Sequence, residues 1–252
     1  MTTTFCWGKL YVLHSCDFFH KDLTCEVSYQ MAKISEPSRK RLVELTLILT
    51  ALEADKTERV TSSKLEELTG WTSSSIRKDI SAIDYAGGVS NGYNVTELLD
   101  AICLALGIAR DEKDSRDRGI EHRCCIVGLG KLGSALLENS IFFDTAFRFM
   151  AGFDANVNRT EILSASFPLY PASRMNVIIP QEKIEYAILS VPDASAQSMA
   201  ERLVSCGIKG IVNYTGTKLL VPKEIAVENV SPVTAMNNLS AKLSLSGNAQ
   251  SK

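Results

Sequence analysis

Gly128-Leu129-Gly130-Lys131-Leu132-Gly133 is a GxGxxG run. At that spacing the first glycine permits a tight turn out of a strand, the second lets the backbone approach a pyrophosphate, and the third lets the next helix pack closely. Free amides at the helix start would then hold the phosphates. Asp154 stands 21 residues beyond Gly133, ending the next apolar run, where a carboxylate would accept the ribose hydroxyls. Aspartate there favours NAD over NADP because it repels a 2′-phosphate, a preference weakened slightly by nearby Arg159. Hydride transfer would also need a positioned acid or base, most often His, Lys or Tyr. The histidines are His14, His20 and His122; two lie in an irregular N-terminal stretch, and His122 precedes the first strand, at the wrong end of a sheet for a cofactor. The chain after the motif is also short for a substrate domain. The pattern is therefore a nucleotide site without catalytic residues, which favours sensing over catalysis.

A second group lies upstream. Arg77-Lys78 fall within a helical pattern whose front carries Ser73, Ser74 and Ser75. In a major groove, Arg or Lys can reach guanine edges, and the serines can reach phosphates or bases. Residues 31–100 nevertheless hold nine basic against eleven acidic residues, and the whole chain carries a formal charge of −2, so charge alone does not establish DNA binding. The seven cysteines contain no CxxC pair and read as reduced, structural thiols of a cytoplasmic protein. No spacing of Cys and His matches a zinc pattern, and no apolar run approaches the ~20 residues needed to span a bilayer.

These residues need two scaffolds. Leu42, Leu45, Leu49 and Leu52 recur at helical steps from Ser38, and a short helix capped by Ser62–Ser63 ends near Gly70. A tight turn then leads to a helix over Ser73–Tyr85, giving a helix-turn-helix. Gly87–Tyr93 reads as a glycine-rich wing between two short strands, followed by a helix from Val95 to Ile108. The charged run Arg110–Gly119 reads as a solvated linker. Beyond it, apolar strands at Arg123–Val127, Phe147–Phe153, Tyr186–Val191, Gly210–Tyr214 and Ile225–Val230 alternate with helices at Lys131–Asn139 and Ala194–Cys206. That alternation predicts a parallel sheet covered on both faces. The expected organisation is α/β: a poorly ordered extension over 1–30 with Met31 as the natural start, a winged-helix domain over 31–109, a linker over 110–120, a Rossmann-type domain over 121–232, and a C-terminal helix and tail over 233–252.

The combination resembles the redox-sensing transcriptional repressor Rex family. The resemblance runs from about Pro37 to Val230. It rests on Ser75-Ile76-Arg77-Lys78-Asp79-Ile80-Ser81, the wing ending Gly92-Tyr93-Asn94-Val95, the fingerprint, Asp154, Ser190-Val191-Pro192, Gly207–Tyr214 and Val221-Pro222-Lys223-Glu224. It implies a homodimer whose C-terminal helices exchange between subunits, binding an AT-rich inverted-repeat operator and released from it by NADH. By position, Gly128, Gly130, Lys131, Leu132 and Asp154 would contact the adenosine and pyrophosphate. Ser190, Val191, Pro192, Asn213 and Tyr214 would line the nicotinamide side, and Arg77 and Lys78 would meet the operator. Some positions depart from the family. Val89-Ser90 replace an Arg-Gly of the wing, which should weaken contact with DNA at Ser90. Leu47 and Ser231 replace an arginine and an aspartate that tie the winged helix to the partner's sensor domain. Asn139 and Pro232 replace a tyrosine and a phenylalanine near the nicotinamide. Redox coupling is thereby expected to be altered. The alternative reading is a nucleotide- or CoA-binding module that has lost DNA binding.

Overall fold

The computed structural model describes residues 34–249, except 86, 88–90, 138–141, 143 and 144. The expected extension over 1–30, the start at Met31, Val89 and Ser90 of the wing, and Asn139 lie outside the described residues. The chain forms two compact units that divide between Arg110 and Asp111.

In the first unit, α1 (Glu36–Ala54) starts where Ser35 Oγ accepts the Ser38 N–H, with Pro37 in the first turn. Its Leu42, Leu45 and Leu49 are buried. After β1 (Arg59–Val60), α2 (Ser62–Thr69) is capped by Thr61, one residue ahead of the serines expected to do so, and ends at Gly70 in the left-handed region. Thr72 caps α3 (Ser73–Ser81), which is shorter than the expected Ser73–Tyr85. Ile76 and Ile80 anchor α3 in a core with Leu65, Leu98 and Ile102. Strand β2 (Tyr93–Asn94) leads into α4 (Val95–Leu106), capped by Asn94.

Among the described residues Tyr93 pairs antiparallel with Val60, a pairing the sequence pattern did not indicate. Burial of the Val60 and Tyr93 side chains explains the choice, and the missing side chain of Gly92 leaves room for the Val60 carbonyl. Within the expected linker over 110–120, Glu112–Arg118 form α5, capped by Asp111 and ended by Gly119. The charges that suggested a solvated connection fall at i,i+4, as Arg116–Glu112 and Arg118–Asp114, and so support a helix.

The second unit is a six-stranded parallel sheet in the order β5-β4-β3-β6-β7-β8. Its strands are β3 (His122–Val127), β4 (Phe147–Asp154), β5 (Leu169–Pro171), β6 (Tyr186–Leu189), β7 (Gly210–Asn213) and β8 (Ala226–Asn229). Helices α6 (Lys131–Leu137), α7 (Val157–Ile162), α8 (Met175–Gln181) and α9 (Asp193–Ser205) connect them. Met175, Ile179, Ala196, Ala200 and Leu203 of α8 and α9 pack with Cys125, Ala151, Phe153, Ala187 and Leu189 of the strands. Ile126, Ile188 and Leu137 form a separate cluster with Leu129. α7, β5 and α8 had no counterpart in the sequence pattern: each is short, β5 ends in Pro171 and α8 contains Pro180. Last comes α10 (Pro232–Ala249), whose side chains from Pro232 to Ser244 are all exposed.

Candidate functional site

Sheet register builds the first site. Val127 pairs with both Phe153 and Leu189, and Leu189 pairs with Asn213. The next residues, Gly128, Asp154, Ser190 and Tyr214, therefore emerge along one rim, at the carboxyl ends of the strands. The sheet is wound in opposite directions from β3 and β6, and the crevice beyond such a reversal is where open α/β sheets bind ligands.

Contacts at this point are close. Gly128 has φ of +94°, and a Cβ there would lie 2.5 Å from the Ser190 carbonyl oxygen. Ser190 Oγ donates to the Gly128 carbonyl at 2.7 Å. A Cβ on Gly133 would meet that same carbonyl at 1.8 Å, so the helix start is pressed against the turn. Gly130 differs: the sole atom within 4 Å of a Cβ there is Arg159 Nη1, at 3.9 Å. Two glycines thus close the loop, and the middle one leaves open space. Lys131 and Leu132 are exposed beside it.

Asp154 is buried, and its carboxylate already serves the loop. Oδ2 accepts the Leu129 N–H at 2.6 Å, Oδ1 accepts the Asn156 N–H at 2.7 Å, and Arg159 Nη1 lies 3.4 Å from Oδ2. On the other side of the rim, Val191 is half-buried and Pro192 exposed. Asn213 has its whole amide engaged: Nδ2 donates to the Thr217 carbonyl and Asn229 Oδ1, while Oδ1 accepts from Thr215 N and Oγ1. These bonds hold the loop after β7 at the rim where Asn213 was expected to line the nicotinamide side. Asp193 Oδ1 also braces that loop by accepting the Gly216 N–H at 2.8 Å. Tyr214 is half-buried against the Ile126–Ile188 cluster.

His122 lies at the amino end of β3, away from the rim, between the rings of Phe147 and Tyr186. Burial lowers its pKa, against the opposing charge of Glu185. Burial likewise pushes the Cys124 thiol up to about 12, and it raises Cys125. Those two thiols are held protonated and unreactive. Among the described residues no cluster of His, Cys, Asp or Glu could hold a metal, and no helix is long and apolar enough to cross a membrane.

The helix-turn-helix forms the second site. Ser73 and Ser75 are engaged within the motif. Ser73 Oγ donates to the Glu66 carboxylate, and Ser75 Oγ hydrogen-bonds Thr72 Oγ1 at 2.9 Å. Of the three expected contact serines, Ser74 is the exposed one. Arg77 and Lys78 are exposed on α3, with Arg77 Nη1 donating to Ser62 Oγ at 3.0 Å. Sequence reasoning missed what holds α3 in place. Arg41 of α1 donates Nε and Nη2 to the two oxygens of Asp79, at 2.6 and 2.9 Å. The signal available was an aspartate on the buried stripe of α3, beside Ile76 and Ile80, which must have a cationic partner.

Residues 33–81 match a family model described as "Putative DNA-binding protein N-terminus", and residues 120–217 match one described as "CoA binding domain". The redox-sensing transcriptional repressor Rex of Porphyromonas gingivalis is 31% identical over 211 residues, covering 84% of this chain and 92% of the relative. The chain belongs to the Rex family. The Rex of Limosilactobacillus reuteri is 32% identical over 212 residues, covering 82% of this chain and 92% of its own length. Among solved structures, the Rex-family repressor RSP matches with a TM-score of 0.73 and 28% identity, over 86% of this chain and 96% of RSP in its complex with β-NAD+ and operator DNA. Against the Rex pattern, Leu47 stands 71% exposed on α1, Ser231 caps α10 by accepting the Thr234 N–H at 3.2 Å, and Pro232 is the exposed first residue of α10.

Proposed function

We propose that this chain is a transcriptional repressor that holds NAD(H) at the Gly128–Gly133 rim and operator DNA through α3, and that NADH releases it from the DNA. The observation that carries the reading is the rim itself: a glycine loop open at Gly130, its turn bonded to Ser190 where the sheet reverses, with Asp154 fixing the loop amide of Leu129. RSP, which matches over 86% of this chain, has been crystallised with β-NAD+ and operator DNA and with β-NADH. On this chain Gly128, Leu129, Gly130, Lys131, Leu132 and Gly133 would hold the pyrophosphate, Asp154 the adenosine side, and the backbone at Ser190, Val191 and Pro192 the nicotinamide side. Ser74, Arg77 and Lys78 supply the exposed polar face toward an AT-rich inverted repeat.

The working species is a homodimer. Val233, Met236, Leu239 and Leu243 place an apolar stripe on α10, each more than half exposed, and a second copy exchanging this helix would cover it. Coupling between nucleotide and DNA is weakened, because Leu47 and Ser231 cannot form the arginine–aspartate tie of the family. Coupling requires contacts that differ between two states, and here one such contact is gone.

Titration of the purified protein with NADH and NAD+, with and without a labelled AT-rich inverted-repeat duplex, tests the proposal. Tighter binding of NADH together with displacement of the duplex supports it. Duplex binding indifferent to either nucleotide refutes the redox switch. Nucleotide binding with no affinity for any duplex at low salt favours the nucleotide- or CoA-binding module.

A further inference from the structure

A cavity of about 430 Å³ lies against α6 and β4. Phe147, Arg148 and Phe149 line it from the amino half of β4, whereas the nucleotide rim lies at the other end of that strand, at Asp154. Leu136 and Leu137, which end α6, Phe142 and residues 164–167 complete the lining. The last of these segments is drawn onto the sheet where the Gly152 N–H donates to the Pro168 carbonyl at 3.0 Å. Gly152 permits the approach, since a Cβ there would stand 2.5 Å from Leu169 Cδ2.

The lining is aromatic and almost without charge. The rings of Phe149 and Phe167 stack at 26° with centroids 5.7 Å apart, and Phe142 meets Phe149 edge-on at 4.7 Å. These rings, with Leu136 and Ala165, pack onto the Ile126–Leu137 cluster, so the surface is fixed before any ligand arrives. Arg148 is the one charged residue of the lining, and its guanidinium is already paired with Glu112 of α5. Ser164 and Ser166 are exposed, and their hydroxyls carry no hydrogen bond to the described residues.

We infer that this cavity is a second ligand site, separate from the nucleotide rim, and that it takes an uncharged planar aromatic molecule bearing a hydroxyl or carbonyl. Its volume falls in the range of sites that enclose small organic ligands, about 300–1,000 Å³. A flat ring laid on Phe149 and Phe167 gains offset-stacked contact as well as apolar burial. The serine hydroxyls can donate to or accept from its polar substituent. An ionised ligand would leave water without meeting an uncompensated opposite charge, which the cavity therefore selects against.

The test is calorimetric titration of the full chain with 2-naphthol, with decahydro-2-naphthol as its saturated counterpart and 2-naphthoate as an ionised one. The expected result is saturable binding of 2-naphthol with a dissociation constant at or below about 100 μM, and binding of each counterpart weaker by about fivefold or more. Ala165→Phe, whose ring would fill the cavity, should weaken 2-naphthol by about tenfold or more, with a ligand-free thermal melt to establish that the variant is folded. Phe149→Leu keeps the proposal testable if that variant does not fold: it should weaken 2-naphthol by about threefold or more and leave decahydro-2-naphthol unchanged. No saturable binding below about 1 mM overturns the inference, as does equal binding of all three probes. Undiminished binding in a folded Ala165→Phe places the ligand elsewhere and also overturns it. So does competitive displacement of 2-naphthol by NADH, which would put the probe on the nucleotide rim.

Discussion

The ion pair between α1 and α3 makes an asymmetric prediction. Asp79 has 4% of its side chain exposed, against 29% for Arg41. Replacing Arg41 with Ala leaves a carboxylate in the core with neither its cation nor its two hydrogen bonds, which costs about 3–5 kcal/mol. Replacing Asp79 with Ala leaves a guanidinium that already reaches solvent and lies 3.5 Å from Ser38 Oγ, so the loss is about 1–2 kcal/mol. The double variant should resemble Asp79→Ala, because removing the carboxylate also removes the penalty of stranding it. The chain has two tryptophans, Trp7 and Trp71, and Trp71 packs on the core of the first unit. In a Trp7→Phe background, denaturant unfolding followed by tryptophan fluorescence therefore reads this unit alone. An Asp79→Ala loss equal to or larger than that of Arg41→Ala, or simple additivity in the double variant, refutes the reasoning.

The fingerprint glycines should separate folding from binding. Gly133→Ala, whose Cβ would sit 1.8 Å from the Gly128 carbonyl, should cost about 3 kcal/mol in chemical denaturation, whereas Gly130→Ala should unfold like the parent. Gly130→Ala should instead weaken NADH by about 10–100-fold in fluorescence titration, because its methyl occupies the space left for the pyrophosphate. Arg77→Ala and Lys78→Ala should each lower operator affinity and reduce the slope of log K against log salt by about one per subunit in gel shifts at several salt concentrations. Glu53 has its carboxyl held below the ordinary range, first by the Thr96 hydroxyl and then by Arg110. Its stabilising contribution is therefore present at neutral pH and lost as pH falls through the carboxylate range. Thermal melts should show acid destabilisation of the first unit that is smaller in Glu53→Gln.

Much of this was legible because strong periodicity and glycine punctuation report backbone geometry directly. Leu42, Leu45 and Leu49 marked α1, Gly70 marked the turn of the helix-turn-helix, and the apolar run ahead of Gly128 marked β3. What stayed hidden depends on partners distant in sequence. The strand facing Tyr93 lies 33 residues back at Val60, and nothing in a two-residue strand announces that. β5 and α8 are too short to show a period, and each carries a proline that argues against it. The charged run at 112–118 looked like a connection until its pairs were counted at helical spacing.

Side-chain roles were less legible than positions. The sequence located Asp154, Ser190 and Asn213 at the rim, but residue type alone cannot separate a group that meets a ligand from one that holds the loop meeting it. Asp154 and Asn213 both brace their loops through backbone and neighbouring side chains, whereas Gly130 bounds open space. A buried polar side chain left unsatisfied is costly, so a group that must meet its ligand only intermittently is better exposed. The open backbone at Gly130 meets that condition, and Asp154 supplies the rigidity that keeps the loop in place by holding the Leu129 amide. Substitution at Asp154 should accordingly reduce NADH and NAD+ affinity together in fluorescence titration, and a loss confined to one of them refutes the bracing role.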